Sequence, residues 1–253
     1  MFFSKNLIKF KNINHCFFSR NNGFSSGIYE SLNCGKGSSD SSKNIEKNLN
    51  YVSKKMGTKF KNLILMNQTH SNKVIIIDKK NKNLKKFNSD ALVTNLSEIS
   101  IGVLTADCVP IILFDEINNT IGCIHAGWKG AISGIVENTL NAFKKINKKN
   151  LITACVGPCI GKESYQVRTD FYEKFINESK FNVKFFTRIS ENSFLFDIRK
   201  YIINKLNLYN VTKIDNINCD TFQDINNFYS YRRSKKLAEN DYGRCISTIC
   251  LKT

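Results

Sequence analysis

The stretch TADCVPIILFDEINNTIGCIHAGWKG, residues 105–130, sets Cys108 directly after an acid, Asp107, and sets His125 before a glycine–tryptophan turn. A second candidate imidazole, His70, lies upstream in NQTHSNKV, in a chain with only three histidines. Each of the three sits at the end of a strand-sized apolar run: NLILM (62–66) before His70, SIGVL (100–104) before Cys108 and TIGCI (120–124) before His125. Strand ends that face a crevice are where loops shape sites on a rigid scaffold. Two imidazoles and one thiolate suit a catalytic zinc that keeps its fourth position open. The same residues admit two other readings. Cys108 is a nucleophile with a histidine as its base, or it is a small buried hydrophobe beside core or capping histidines.

The elements that must position these residues follow from apolar spacing. Residues 43–57 repeat Ile45, Leu49, Val52 and Met56 at helical intervals and end on Gly57. Ile132, Ile135, Val136, Leu140 and Phe143 predict an amphipathic helix over 130–146, and further helices are expected over 168–179 and 197–207. Strands are predicted at 62–66, 73–78, 90–94, 100–104, 109–114, 120–125, 151–156 and 245–251, and the Gly-, Ser- and Asn-rich segment 21–42 reads as loop. Strands and helices mix without a regular β-α-β beat. The expectation is therefore a single α/β domain over residues 1–253, with mixed sheets in more than one layer.

Bulk properties narrow the partners. Lys and Arg outnumber Asp and Glu by 38 to 21, a net charge of +17. These lysines are spread through almost every segment, and no arginine run interleaved with aromatics marks a nucleic-acid groove, so no nucleic-acid partner is expected. The field would still steer a small anion such as phosphate. Nine cysteines, an odd set without C-x-x-C pairs, argue for reduced thiols and against a disulfide framework. No apolar run reaches membrane-spanning length, and lysines break the N-terminal segment MFFSKNLIKFKNINH before a signal core forms. The reading is a cytoplasmic protein with no membrane partner.

Several blocks together carry a resemblance. HCFFSRNNGFSSGIYESLNCG, NQTHSNKV, DALVTN, TADCVPIILFD, IHAGWKG, VGPCIGKESYQV and FYSYRRS occur in that order over nearly the whole chain. They resemble the laccase-like, multicopper polyphenol oxidase family, now regarded as purine nucleoside phosphorylases of the YfiH/YlmD/FAMIN type. The resemblance implies a layered α/β/β/α fold and a monomeric cytosolic enzyme. It implies a zinc site on His70, Cys108 and His125, the set that strand-end chemistry selects. It further implies phosphorolysis of adenosine, inosine and S-methyl-5′-thioadenosine, together with deamination of adenosine, for which a zinc ion that activates water is suited.

Phosphate must be gripped beside the sugar, and arginine does this through paired hydrogen bonds. Arg232 and Arg233, in the SYRR segment, and Arg20, beside Ser19, are the candidates; a solvated surface pair is the alternative for Arg232 and Arg233. Asp107 either assists Cys108 and His125 as a catalytic or ligand-orienting group, or accepts backbone hydrogen bonds in a turn. Cys123 alternates with His125 and is expected on the same face, near the metal. Trp128 reads more readily as core than as a purine stack. The chain departs from the family at Asn21-Asn22 before Gly23, at Asn48-Leu49 where the family has Asn-Arg, and in the lysine-rich SKKLAENDYG after SYRR. Three rival functions remain. A copper-dependent polyphenol oxidase would need more than three histidines for several ions, although a single copper could occupy the zinc residues. The others are a cysteine amidase that edits peptidoglycan precursors through Cys108 and a basic, non-catalytic nucleic-acid binder.

Overall fold

Alternating and continuous apolar runs form thirteen strands in the computed structural model, which describes residues 1–84 and 87–252. In chain order these are β1 (Ile13–Phe17), β2 (Leu63–Leu65), β3 (Val74–Ile77), β4 (Ala91–Thr94), β5 (Ser100–Thr105), β6 (Val109–Asp115) and β7 (Thr120–Ala126). They continue with β8 (Ile152–Val156), β9 (Gln166–Arg168), β10 (Phe186–Ser190), β11 (Ser193–Phe196), β12 (Lys213–Asn216) and β13 (Cys245–Leu251). The helices are α1 (Ser42–Met56), α2 (Trp128–Ile132), α3 (Ile135–Ile146), α4 (Thr169–Glu178), α5 (Ile198–Leu208) and α6 (Tyr231–Lys236).

Two large mixed sheets stack face to face. One has the order β1-β13-β5-β2 and the other β12-β8-β6-β7-β4-β3. Period-two alternation decides which side chain joins which layer. Ile101 and Val103 of β5 turn toward the second sheet and meet Leu92, Ile112, Phe114 and Ile121, whereas Leu104 turns outward under α1. On that outer face Ile45, Leu49, Val52 and Met56 of α1 cover Cys16, Phe18, Ile246 and Cys250. Each such fully buried aliphatic side chain contributes about 1.5–3 kcal/mol of transfer free energy. The far face of the second sheet is covered by α3 and α5 through Ile135, Val136, Leu140, Phe143, Ile202 and Leu206. The layering is therefore α/β/β/α, as expected.

The helix expected over 130–146 is two helices. Gly134 adopts φ 92°, a left-handed conformation that ends α2 and starts α3 on a new axis. A third, small sheet of order β10-β11-β9 lies beside α4 and has no counterpart among the predicted strands. Asn48 is fully buried: its side chain bonds Phe24 N, Ser25 Oγ and the carbonyls of Ser31 and Asn33. It fastens the 24–33 loop to α1. Among the described residues no helix is long and apolar enough to cross a membrane.

Candidate metal centre and substrate cavity

Register brings the three predicted residues together. The β6–β7 hairpin pairs Val109 with Ala126 and Pro110 with His125, so the next positions outward are Cys108 and Gly127. Cys108 also closes the crossover from β5 in one sheet to β6 in the other. His70 follows β2, which lies parallel to β5 at the edge of the first sheet. Gln68 fixes that approach: its amide donates to Leu104 O at 2.7 Å and its carbonyl accepts from Leu104 N at 2.7 Å. The site therefore stands where the two sheets are joined, with one ligand candidate from the first and one from the second.

The donor atoms of His70, Cys108 and His125 lie within 4.8 Å of one another, and among the described residues no other group of His, Cys, Asp and Glu does so. Cys108 Sγ is 3.7 Å from His70 Nε2. A tetrahedral zinc with bonds of about 2.3 Å to sulfur and about 2.0–2.1 Å to nitrogen would set them about 3.6 Å apart. The donor set and its spacing fit a single ion. His70 is exposed, Cys108 half-buried and His125 buried, so the fourth direction opens to the cavity. Gly127 makes the convergence possible. A Cβ there would lie 2.5 Å from His70 Cδ2 and 3.1 Å from Cys108 Sγ.

Electrostatics prime the same residues. Burial alone would raise the Cys108 thiol, but the charge and hydrogen bonds of His125 and His70 outweigh it and bring the pKa down to about 6. Burial would lower His125, yet Cys108 and Asp90 raise it to about 9. Between those values the metal-free site holds a thiolate beside an imidazolium.

Sequence reasoning missed Asp90, the fully buried acid at the head of β4. His125 Nδ1 donates to its Oδ1 at 2.8 Å, which leaves Nε2 for the site. The same carboxylate accepts from Thr69 N, His70 N, Ser71 N and the hydroxyls of Thr69 and Ser71. One acid thus orients both imidazoles, His125 through its ring and His70 through its turn, where His70 itself takes φ 57°. The only signal in the sequence is an acid heading an apolar strand in DALVTN. The third histidine, His15, is buried elsewhere and accepts from Ser4 N; burial pushes its pKa down to about 4.

The trio opens into a cavity of about 1350 Å³. Arg232 lines it, with its guanidinium 5.4 Å from the centre of the Tyr165 ring and one N–H donated to Gln166 O. Arg168 and Lys129 line the same wall, as do Trp128 and Phe171, whose ring centres are 5.0 Å apart. Arg20 and Arg233, expected as substrate or phosphate groups, do not line this cavity. Arg233 donates to the carbonyls of Thr221, Phe222 and Phe228 and so braces that loop. Arg20 donates to Glu30 O and Ile225 O and lies over the Tyr229 ring. Unpaired carbonyls in loops nearer than the cavity claim both guanidinium groups. Cys123 shares the His125 side of β7 but ends among Ile112, Phe114 and Ile121 in the inter-sheet core, outside the donor group.

Asp107 lines the cavity, and the structure favours the turn-acceptor reading. It adopts φ 87° and accepts from Thr221 Oγ1 at 2.7 Å, Ser230 Oγ at 2.9 Å and Arg232 N at 2.7 Å. Burial raises its pKa against the pull of those donors. Asp107 therefore ties the Cys108 turn to the first turn of α6 and sets where Arg232 stands. Asp107→Ala is expected to leave three donors unsatisfied, cost about 2–3 kcal/mol of stability and weaken anion binding. Metal content by elemental analysis should stay near that of the unaltered chain; loss of the metal with anion binding intact would contradict this division.

The family described as multi-copper polyphenol oxidoreductase laccase matches residues 14–252. This chain belongs to that family. A Haemophilus influenzae protein named purine nucleoside phosphorylase is 32% identical over 94% of this chain and 94% of its own length. A Rickettsia prowazekii protein of that name is 32% identical over 83% of this chain and 84% of its own. Among solved structures, a Neisseria meningitidis protein superposes with a TM-score of 0.85 at 26% identity, over 96% of each chain. A Bacillus licheniformis protein, YfiH, shares the fold with a TM-score of 0.88 at 24% identity, over 95% of this chain and 93% of that one.

Proposed function

We propose that the chain is a zinc-dependent purine nucleoside phosphorylase that acts on adenosine, inosine and S-methyl-5′-thioadenosine and also deaminates adenosine. One observation carries the reading: a single cavity joins a Cys–His–His donor set to an arginine, Arg232, that no carboxylate pairs among the described residues. His70, Cys108 and His125 would hold the ion. When bound, it would supply Lewis acidity at a site open to a nucleoside.

The residues of the chain divide the remaining work. Arg232 presents N–H groups in the planar fork that matches phosphate oxygens, with Arg168 and Lys129 adding positive charge. Trp128, Phe171 and Tyr165 give apolar faces of a size suited to a purine. In phosphorolysis a phosphate oxygen bonds to the sugar C1′ as the bond to the purine nitrogen breaks. The cationic wall lowers the barrier by holding phosphate next to that carbon. Asp90 holds His125 in one tautomer throughout. Multi-copper oxidation fits less well. The chain has three histidines, two of them form the one donor group among the described residues, and the third, His15, is buried on Ser4 N.

The relay from Asp90 through His125 to Cys108 favours one other reading, a cysteine hydrolase that attacks amides without metal. Both are tested by incubating zinc-loaded protein with each nucleoside, with and without phosphate, and separating the products. Free base that appears only with phosphate, falls about ten-fold or more in Arg232→Ala and vanishes in Cys108→Ala, is the expected result. Inosine formed from adenosine without phosphate would assign the deaminase activity. No product from folded, metal-replete protein would remove the purine reading and leave the amidase.

A further inference from the structure

The cavity is larger than one nucleoside with its phosphate requires. Small-molecule sites occupy about 300–1,000 Å³, and this one offers about 1350 Å³. A ladder of side chains along its wall divides it into halves. Trp128 meets Phe171, Phe171 meets Tyr165, and Tyr165 lies under Arg232; these belong to the half used above. Tyr231, the neighbour of Arg232 at the start of α6, turns the other way and meets Tyr242 at 5.2 Å between ring centres. The Arg244 guanidinium lies 4.2 Å from the centre of the Tyr242 ring. Lys36, Gly37, Leu65 and Leu104 complete this second half.

The second half is built and it is cationic. Buried Asn33 holds it together: its Oδ1 accepts from Gly35 N and Arg244 N, each at 3.0 Å, and its Nδ2 donates to Ser38 Oγ and Asp40. The Lys36 loop and Arg244 are thereby locked to one another. Arg244 donates one N–H to Tyr242 O and lies 3.9 Å from Asp241 Oδ1. The other oxygen of Asp241 is occupied by Tyr29 OH and Ser39 N. Lys36 is exposed and has no ion-pair partner among the described residues. The charged side chains that line this half are Lys36 and Arg244, both positive, whereas Asp241 and Asp40 do not line the cavity and are tied to Tyr29, Ser39, Asn33 and Ser25.

We propose that this half is an anion subsite that takes the phosphate group of a phosphorylated nucleoside, so that nucleoside monophosphates bind across both halves of the cavity. The purine part of the ligand rests on the function proposed above; the anion subsite rests on Lys36, Arg244 and the tyrosines. A phosphate here gains charge-assisted hydrogen bonds on a partly exposed wall, and the attraction weakens as salt rises.

Calorimetric titration of the metal-loaded chain with adenosine and with its 5′-monophosphate tests this at low ionic strength. The monophosphate should bind about ten-fold tighter. That advantage should vanish in Lys36→Glu and in Lys36→Ala/Arg244→Gln, with adenosine affinity unchanged within about two-fold. Lys36→Glu alters an exposed side chain and keeps the test valid if the double variant unfolds. Equal affinity of the two ligands, or an advantage that survives both variants, overturns the proposal. So does a rise in the KM for inorganic phosphate in Lys36→Glu with monophosphate binding unmoved, since the subsite would then serve the free anion. Adenosine turnover read in the same samples separates the two proposals. Monophosphate binding without phosphorolysis would retain the subsite and remove the function, and phosphorolysis without the advantage would do the reverse.

Discussion

Gly127→Ala is expected to weaken metal binding by about 100-fold or more while the chain stays folded. The backbone at Gly127 has φ −72° and ψ 162°, an extended conformation that alanine adopts freely, so the substitution introduces no backbone strain. The obstacle is proximity. The new methyl carbon would stand 2.5 Å from His70 Cδ2, 3.2 Å from His70 Nε2 and 3.1 Å from Cys108 Sγ, well inside van der Waals contact. His125 lies within β7 and Cys108 directly precedes β6, whereas the His70 side chain is exposed in a turn and can rotate outward. The collision is therefore relieved by expelling His70 from the donor set. Losing a group that merely orients a ligand costs about 10–100-fold in metal affinity, and losing the ligand itself should cost at least the upper end of that range. Zinc competition against a chelator of known affinity measures the loss. Thermal unfolding of the metal-free proteins should differ by no more than about 1 kcal/mol, since no core group changes. An alanine variant that keeps one zinc per chain at unaltered affinity would remove His70 from the centre.

The trio was legible because the signal lay in residue type and position. Cysteine and histidine at or just beyond three strand ends, in a chain so poor in histidine, mark the trio, and the expected boundaries of those strands hold within two residues. The layered core was legible for a similar reason, since Ile45, Leu49, Val52 and Met56 repeat at the helical period and all become buried. What the sequence hid depends on which partner reaches a side chain first. Arg20, Arg232 and Arg233 carry the same guanidinium, yet only Arg232 reaches the cavity, because the carbonyls of Glu30, Ile225, Thr221 and Phe222 lie closer to the other two. The small sheet escaped because β9 has three residues and β10 is exposed along most of its length, so neither shows a buried face to count. Asp90 escaped because its donors come from residues 69–71 and 125, far from it in sequence.

Removing that carboxylate should cost both stability and metal affinity. Asp90 is fully buried and accepts from three backbone N–H groups, two hydroxyls and the His125 ring. Burial alone would raise its pKa, but those bonds, from His125 and Ser71 above all, hold it well below the usual carboxylate range. A carboxyl with a lowered folded pKa adds stability above its ordinary value near 4 and loses it only as the pH falls below that. Asp90 is thus charged at every pH at which His125 can bind metal. In Asp90→Asn an NH2 group must face N–H donors, and the turn that carries His70 loses its anchor. Breaking a buried charged pair of this kind costs about 3–5 kcal/mol. Metal affinity should fall about 10–100-fold, because His125 loses the acceptor that fixes its tautomer. The imidazole itself gives a readout that unfolding does not mimic. In the metal-free chain the His125 pKa is raised to about 9, so its stabilising charge is complete below about 6.5 and is lost as the pH rises through 9. In Asp90→Asn that midpoint should move down, since one of the two charges that raise it is gone and burial opposes the imidazolium. A proton NMR titration of the histidine ring resonances follows it. An unmoved midpoint with undiminished zinc affinity would assign the orientation of His125 to the strand alone.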